Sequence, residues 1–394
     1  MGDLLWPGDE RAGEHLTGAC VVAAMVEVEV AWLELLAGQG VAAAGSTALA
    51  DVRLDAAEVA AVAEGAATSG TPVLGLVRLL RERLAADPVA ATWLHRGLTS
   101  QDVLDTALVL CARRAVVELR AELERQVALL SALASGHRDT AMVARTLTQH
   151  AVPTTFGLKA ARWLAGVLDA LEAVAALRFP VQLGGAAGTM AAALELGLDA
   201  RAAREDLAAR LGLEPAPPWH TTRAPVTRLG DALVGCTDAW GHLSADVLAL
   251  SRPEVGELTE GSGGGSSTMP HKANPVRSVL VRRTALSTPQ LAATLHLAAA
   301  DQVDERAVGG WHAEGATLRD LVRRTLAAGS LVTELVGGLV VHADRMAATL
   351  ETARHDVHAE QRSLAELAGH EPTGDYLGAA GALVDEVLER VRRR

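Results

Sequence analysis

The chain has 394 residues, of which 49% are hydrophobic, 21% charged and only 3% aromatic. That composition gives room for two or three domains with sizeable cores and favours close helix–helix packing over a β-sandwich or barrel. The net charge of −12 argues against a nucleic-acid partner, which needs a basic footprint, but a local pocket can still take a small anion.

The opening stretch MGDLLWPGDERAGEH is acidic and lacks an apolar segment, so no signal peptide is expected there. Trp6 stands where myristoylation after Gly2 needs Ser or Thr. No uninterrupted apolar run reaches the roughly 20 residues of a membrane helix, so no membrane partner is expected. Residues 1–105 hold short helical pieces broken at Gly38–Gly40, Gly45, Gly70–Pro72 and Asp87–Pro88, which predicts a small N-terminal helical domain. Cys20, Cys111 and Cys236 are far apart in sequence and show no CxxC or Cys/His spacing. They read as free buried thiols in a reducing cytoplasm, with no metal site.

From Thr106 to Gly136 apolar residues recur at Leu119, Leu123, Val127, Leu130 and Leu133. Steps of three and four put them on one helix face. At ~1.5 Å per residue this predicts a helix of about 45 Å, which suits an elongated bundle. Similar patterns cover 156–178, 227–250, 276–300 and 315–341, so a central long-helix bundle is predicted over 106–345. A breaker cluster, Gly369–His370–Glu371–Pro372, precedes a last helix near 376–391 in a short C-terminal helical domain, 346–394. No alternating strand runs with hairpin turns and no fixed-period repeat are legible. The expected fold is all-α, three helical domains around the long bundle.

Three polar islands interrupt the amphipathic pattern. The first, HRGLTSQD, runs from His95 to Asp102 at the start of the first long helix. Thr99 or Ser100 can cap that helix, and hydroxyls with free N–H groups at a helix start can equally bind a carboxylate. The second, RTLTQHAVPTTFGLK, runs from Arg145 to Lys159 and reads as a loop with a capping Thr or as a set of polar groups aimed at a ligand. The third, GSGGGSSTMPHKANPVRS, covers 261–278. It is a flexible linker or a mobile catalytic loop. Of the 36 basic residues only Lys159 and Lys272 are lysines, which marks both as places where a compact ammonium is needed or as chance survivors of an Arg-rich composition.

The stretch GSSTMPHKANP resembles the signature loop of the fumarase/aspartase superfamily, GSSxMPxKxNP, at Gly265, Ser266, Ser267, Met269, Pro270, Lys272, Asn274 and Pro275. HRGLTSQDVLDTA and RTLTQHAVPTTFGLK are similar to the first and second motifs of that superfamily. TSQDVLDTALVL, TFGLKAARWLAG, STMPHKANPVRSVLVRRTAL and DERAVGGWHAEGATLR resemble its 3-carboxy-cis,cis-muconate cycloisomerase branch. The resemblance implies an all-α fold and a homotetramer in which each active site takes its three islands from three subunits. It implies a small polycarboxylate substrate and no cofactor or metal.

The chemistry implied is proton movement on a carbon next to a carboxylate, through an aci-carboxylate with about two negative charges that the site must stabilise. By resemblance Ser266 carries the proton. Loop N–H groups, Lys272 and a second hydroxyl or amide activate it, and the resemblance makes its motif neighbours Ser267 and Met269 substrate-binding residues. Lys272 and Asn274 hold a substrate carboxylate; Thr99 and Ser100 bind another, with Gln149 nearby. His95 and His150 are candidates for acid or ligand, His150 entering the catalytic set. Arg277 and Arg306 could pair substrate carboxylates or structural ones.

Superfamily lyases that release an amine or water carry His where this chain has Leu147. Leu cannot donate a proton, so the leaving group should be a stable anion. That expectation favours cycloisomerisation of 3-carboxy-cis,cis-muconate in protocatechuate breakdown. The alternative is a fumarate-releasing lyase of the adenylosuccinate or nitrosuccinate type.

Overall fold

The structure, a computed structural model, describes residues 3–42, 49, 52–261, 264–265, 268–269 and 272–394. It divides into two compact units. Unit 1 comprises 1–118, 176–233 and 289–326, and unit 2 comprises 119–175, 234–288 and 327–394.

Among the described residues unit 1 opens with a 3₁₀ turn, Asp9–Ala12, and helices α1 (Gly18–Gly38), α2 (Ala56–Ser69), α3 (Val73–Arg83) and α4 (Pro88–Trp93). The α2 start is a capping box, Asp55 accepting from the Glu58 N–H while the Glu58 side chain returns to the Asp55 N–H. Pro88 stands in the first turn of α4, where its missing N–H costs nothing. Unit 1 also holds α7 (Ala191–Glu195) and α8 (Ala200–Leu211).

Four long helices divide their residues between the units: α5 (Ser100–Gly136), α9 (Ala224–Leu250), α10 (Val276–Ala300) and α11 (Gly310–Gly337). With 37 residues, α5 is about 55 Å long. It starts six residues before the expected Thr106 because the end of the polar HRGLTSQD segment, from Ser100, supplies its first turn. Pro289 lies inside α10, where it removes one backbone hydrogen bond.

Unit 2 adds the hairpin β1 (Ala141–Thr146) and β2 (Gln149–Thr155), then α6 (Phe156–Ala175). A second small antiparallel pair joins β3 (Leu258–Thr259) to β4 (Val340–Val341), and α12 (Ala343–Thr352), α13 (Arg354–Val357), α14 (Ala359–Ala368) and α15 (Ala380–Arg392) follow. The all-α class holds, with the β1–β2 hairpin and the small β3–β4 pair as corrections to the expectation of no strands. The first was illegible because Pro153 sits inside β2 opposite Val143 and the turn carries none of the Asn-Gly or Asp-Gly signals of a two-residue hairpin. No described helix is long and apolar enough to cross a membrane.

Small residues let the helices of unit 2 approach closely. A Cβ placed on Gly241 would sit 2.7 Å from Ala285 Cβ, so α9 and α10 touch there only because residue 241 has no side chain. One buried polar node joins three helices of this unit. Trp240 Nε1 on α9 donates to Gln126 Oε1 on α5 at 2.8 Å, and Gln126 Nε2 donates to Gly329 O on α11 at 3.0 Å. Both side chains are fully buried, so each hydrogen bond is made where no water could replace it.

Candidate active site

In unit 1 the first island forms the start of α5. The Asp102 carboxylate, three residues into the helix, reaches back to the Thr99 N–H at 3.0 Å. It also accepts from Gly184 N at 2.8 Å, Gly185 N at 3.0 Å and Gln182 Nε2 at 3.1 Å. One buried carboxylate thus fixes the helix start against the 182–185 turn. Burial pushes its pKa up to about 6, while those four donors pull it down.

That balance has a sign. The folded value lies above the unfolded one of about 3.9, so the stability tied to Asp102 is present below pH 4 and is lost as pH rises through 6. Against Asp102→Asn, which does not titrate, the wild type is expected to lose up to about 3 kcal/mol between pH 4 and pH 7. Urea unfolding of both proteins at the two pH values measures this; a constant difference would remove the raised pKa.

Above this anchor Thr99 Oγ1 accepts from Arg306 Nη2 at 2.6 Å. Thr99, Ser100 and Arg306 therefore stand together, although Thr99 and Arg306 are 207 residues apart. Among the described residues no carboxylate pairs with Arg306. His95 has a left-handed backbone, φ +62°, and its Nδ1 lies 2.6 Å from Oε1 of the buried Glu29. His95 is thus held by a carboxylate from α1.

His220 was not singled out by the sequence. It is buried, its Nδ1 has no hydrogen-bond partner, and its carbonyl accepts from Gln101 Nε2 at 2.9 Å. Burial first, then the Arg306 guanidinium, hold its imidazole below the usual range, so it is neutral at pH 7. The polar run Trp219–Arg223 before α9 was the available signal. Arg223 in that run donates to both oxygens of Asp105 at 2.7 and 2.9 Å and to Glu314, with Trp311 Nε1 adding 2.9 Å to Asp105. These groups are buried, so Trp311 is a core residue that orients this cluster.

In unit 2 the second island is the β1–β2 hairpin. Arg145 pairs with His150 and Thr146 with Gln149 across it. Leu147 and Thr148 form the turn with φ of +48° and +73°, the geometry of a type I′ turn, which usually takes Asn or Gly. Leu147 at the tip is 96% exposed. Gln149 and His150 are exposed beside it. Arg145 is bound at 2.9 and 2.8 Å by both oxygens of the fully buried Glu257, which roots the hairpin.

The third island rises from a fixed stem. Glu260, buried, accepts Arg277 N at 3.2 Å and Ser278 N at 2.8 Å, satisfying the start of α10 from outside the helix. Gly261 has φ +76°, and a Cβ there would run into Gly338 O. Gly264 and Asn274 then exchange backbone hydrogen bonds of 2.9 and 2.8 Å. Beyond this bridge Met269 and Lys272 are exposed, and Lys272 N donates to Met269 O at 3.0 Å. Ser266 and Ser267 lie outside the described residues. Arg277 Nε bonds Glu334 Oε2 at 3.1 Å. The other lysine, Lys159, is structural: it bonds Asp246 at 3.1 Å beside Trp163 Nε1 at 2.8 Å on the same carboxylate. Among the described residues no three His, Cys, Asp or Glu side chains gather as a metal cluster.

A family profile described as lyase matches residues 10–288. The chain is 44% identical over 363 residues to the nitrosuccinate lyase of Streptomyces davaonensis, covering 88% of this chain and 76% of that one. It is 40% identical over 346 residues to the 3-carboxy-cis,cis-muconate cycloisomerase of Bradyrhizobium diazoefficiens, covering 85% and 76%. The solved 3-carboxy-cis,cis-muconate lactonizing enzyme of Pseudomonas putida superposes with a TM-score of 0.87 at 30% identity over 97% of each chain. The fumarate lyase of Mesorhizobium sp. BNC1 gives 0.80 at 27% identity, over 96% of this chain and 97% of that one. The protein belongs to the fumarase/aspartase superfamily of lyases, as its motifs indicate. Within that superfamily these two relatives differ, one being a lyase and the other a cycloisomerase.

Proposed function

We propose that the protein removes a proton from a carbon next to a carboxylate and expels a stable anion, and that its substrate is nitrosuccinate, released as fumarate and nitrite. Leu147 carries this reading. The exposed hairpin tip offers an alkyl group where an amine or hydroxide would need an acid. Nitrite leaves with the C–N electron pair and needs no proton, and the proton goes to Ser266.

The cations favour a dicarboxylate. Arg145, Arg277 and Lys159 are each bonded to a protein carboxylate, Glu257, Glu334 and Asp246. Arg306, which has no carboxylate partner among the described residues, and Lys272 take one carboxylate each of a succinate whose third substituent, a nitro group, is uncharged. Thr99 and Ser100 assist Arg306; Asn274, Gln149 and the loop N–H groups assist at the other end. His95 and His150 then serve as ligands rather than acids. The active site takes its islands from different copies of a homotetramer, as the superfamily resemblance implies, and the protein works in the cytoplasm without cofactor or metal.

The second reading is cycloisomerisation of 3-carboxy-cis,cis-muconate, favoured by the likeness to the Pseudomonas putida enzyme along nearly the whole chain. Its carboxylate leaving group, taken in the reverse direction, also needs no acid, but its third carboxylate calls for another cation. The test is a paired assay. Nitrite and fumarate appearing in equal amounts from nitrosuccinate, with the muconate diene absorbance unchanged, is the expected result. Loss of the diene alone would replace the first reading by the second.

A further inference from the structure

Two cysteines that are 91 residues apart meet in unit 1. Cys20 lies in the first turn of α1, its N–H bonded to Thr17 Oγ1 at 3.2 Å, and Cys111 lies on α5; their sulfurs are 3.6 Å apart. Cys111 Sγ also lies 3.8 Å from the Cys20 carbonyl. The two are unequal. Cys20 is partly exposed and Cys111 fully buried. The Cys111 hydrogen bond, opposed by burial and helped by the Leu16 backbone, His15 and Arg114, brings the Cys20 thiol down to about 6; the same pairing and burial push Cys111 up. A low, accessible thiol beside a protonated partner is the arrangement of an attacking and a resolving cysteine. Cys236 is buried alone, its thiol pushed up to about 12 by burial.

We propose that Cys20 and Cys111 form a reversible intramolecular disulfide, with a hydroperoxide as oxidant. The Cys20 thiolate attacks one peroxide oxygen and the O–O bond breaks, giving a sulfenic acid and an alcohol or water. The Cys111 sulfur then displaces the hydroxyl from Cys20, and the thiol proton leaves with it as water. The two thiols lose two electrons and two protons, and the peroxide takes both. The sulfurs must close from 3.6 Å to about 2.05 Å. This inference is independent of the substrate reading.

The native protein is treated with hydrogen peroxide, quenched, denatured in N-ethylmaleimide and mapped by peptide mass. The expected result is one linked peptide pair containing Cys20 and Cys111, Cys236 fully alkylated, and complete reversal by dithiothreitol. The linked form is expected to melt several degrees higher, because the bond closes a long loop in the unfolded chain. Cys111→Ser should leave a sulfenic acid on Cys20 that dimedone traps. Cys20 and Cys111 both still alkylated after excess peroxide would overturn the proposal. Should that variant fold poorly, the wild type decides through the pH dependence of iodoacetamide labelling at Cys20. A midpoint near 6 supports the pair, and one near the ordinary 8.5 sinks it.

Discussion

A protein with Arg223→Met is expected to lose about 3–5 kcal/mol of stability at pH 7, the cost of breaking a buried ion cluster by removing one partner. Among the described residues Arg223 is the only cation on Asp105 and Glu314, and all three are buried. Without it two carboxylates face each other in an apolar interior. Burial already raises Glu314, and the variant raises it further by removing the guanidinium that pulls it down. A folded value above the unfolded one means stability that is present in acid and lost as pH rises, so the deficit should shrink towards pH 5. The triple variant Arg223→Met, Asp105→Asn, Glu314→Gln removes the stranded charges and is expected to recover most of the loss. Urea unfolding at pH 5 and pH 7 measures all three proteins. A single variant within about 1 kcal/mol of wild type, the usual scale of a surface pair, would mean that the cluster is not a structural node.

Ser266→Ala is expected to lower kcat by about 10²–10⁴ with little change in fumarate binding, the range seen when a positioned proton carrier is removed. A free hydroxyl is far too weak a base, and its function depends on donors that stabilise the alkoxide. The hydrogen bonds described for the stem run between other residues, Glu260 with the start of α10 and Gly264 with Asn274. Turnover should therefore fall while Lys272 and Arg306, the proposed binding groups, remain. Steady-state kinetics together with fumarate calorimetry separate the two. A variant that retains a tenth of wild-type kcat would remove Ser266 from the proton transfer.

The long helices were legible because Ala and Leu recur at helical spacing; Val276–Ala300 was read to the residue. The islands were legible as breaks in that pattern, and their motifs placed the chain in its superfamily. What stayed hidden was pairing across the chain. Nothing in a one-dimensional pattern sets Arg306 against Thr99, Arg145 against Glu257, or Cys20 against Cys111. The hairpin stayed hidden too, because its turn is Leu-Thr in a conformation that local propensity assigns to Asn and Gly. Asp102 was legible only as the end of the first island, and its partners at Gly184 and Gly185 show that it fastens a second segment.

The buried nodes have a consequence for how the fold is encoded. The apolar residues buried in the interior are mostly Ala, Leu and Val. Such packing is degenerate, since apolar residues of similar total volume exchange at small cost. A hydrogen-bonded node is not degenerate, because a helix displaced by one turn leaves its partners unmet. Information about the fold is therefore unevenly spread along the chain: a few buried polar residues specify which helices meet and in what register, and the many alanines and leucines around them are free to drift.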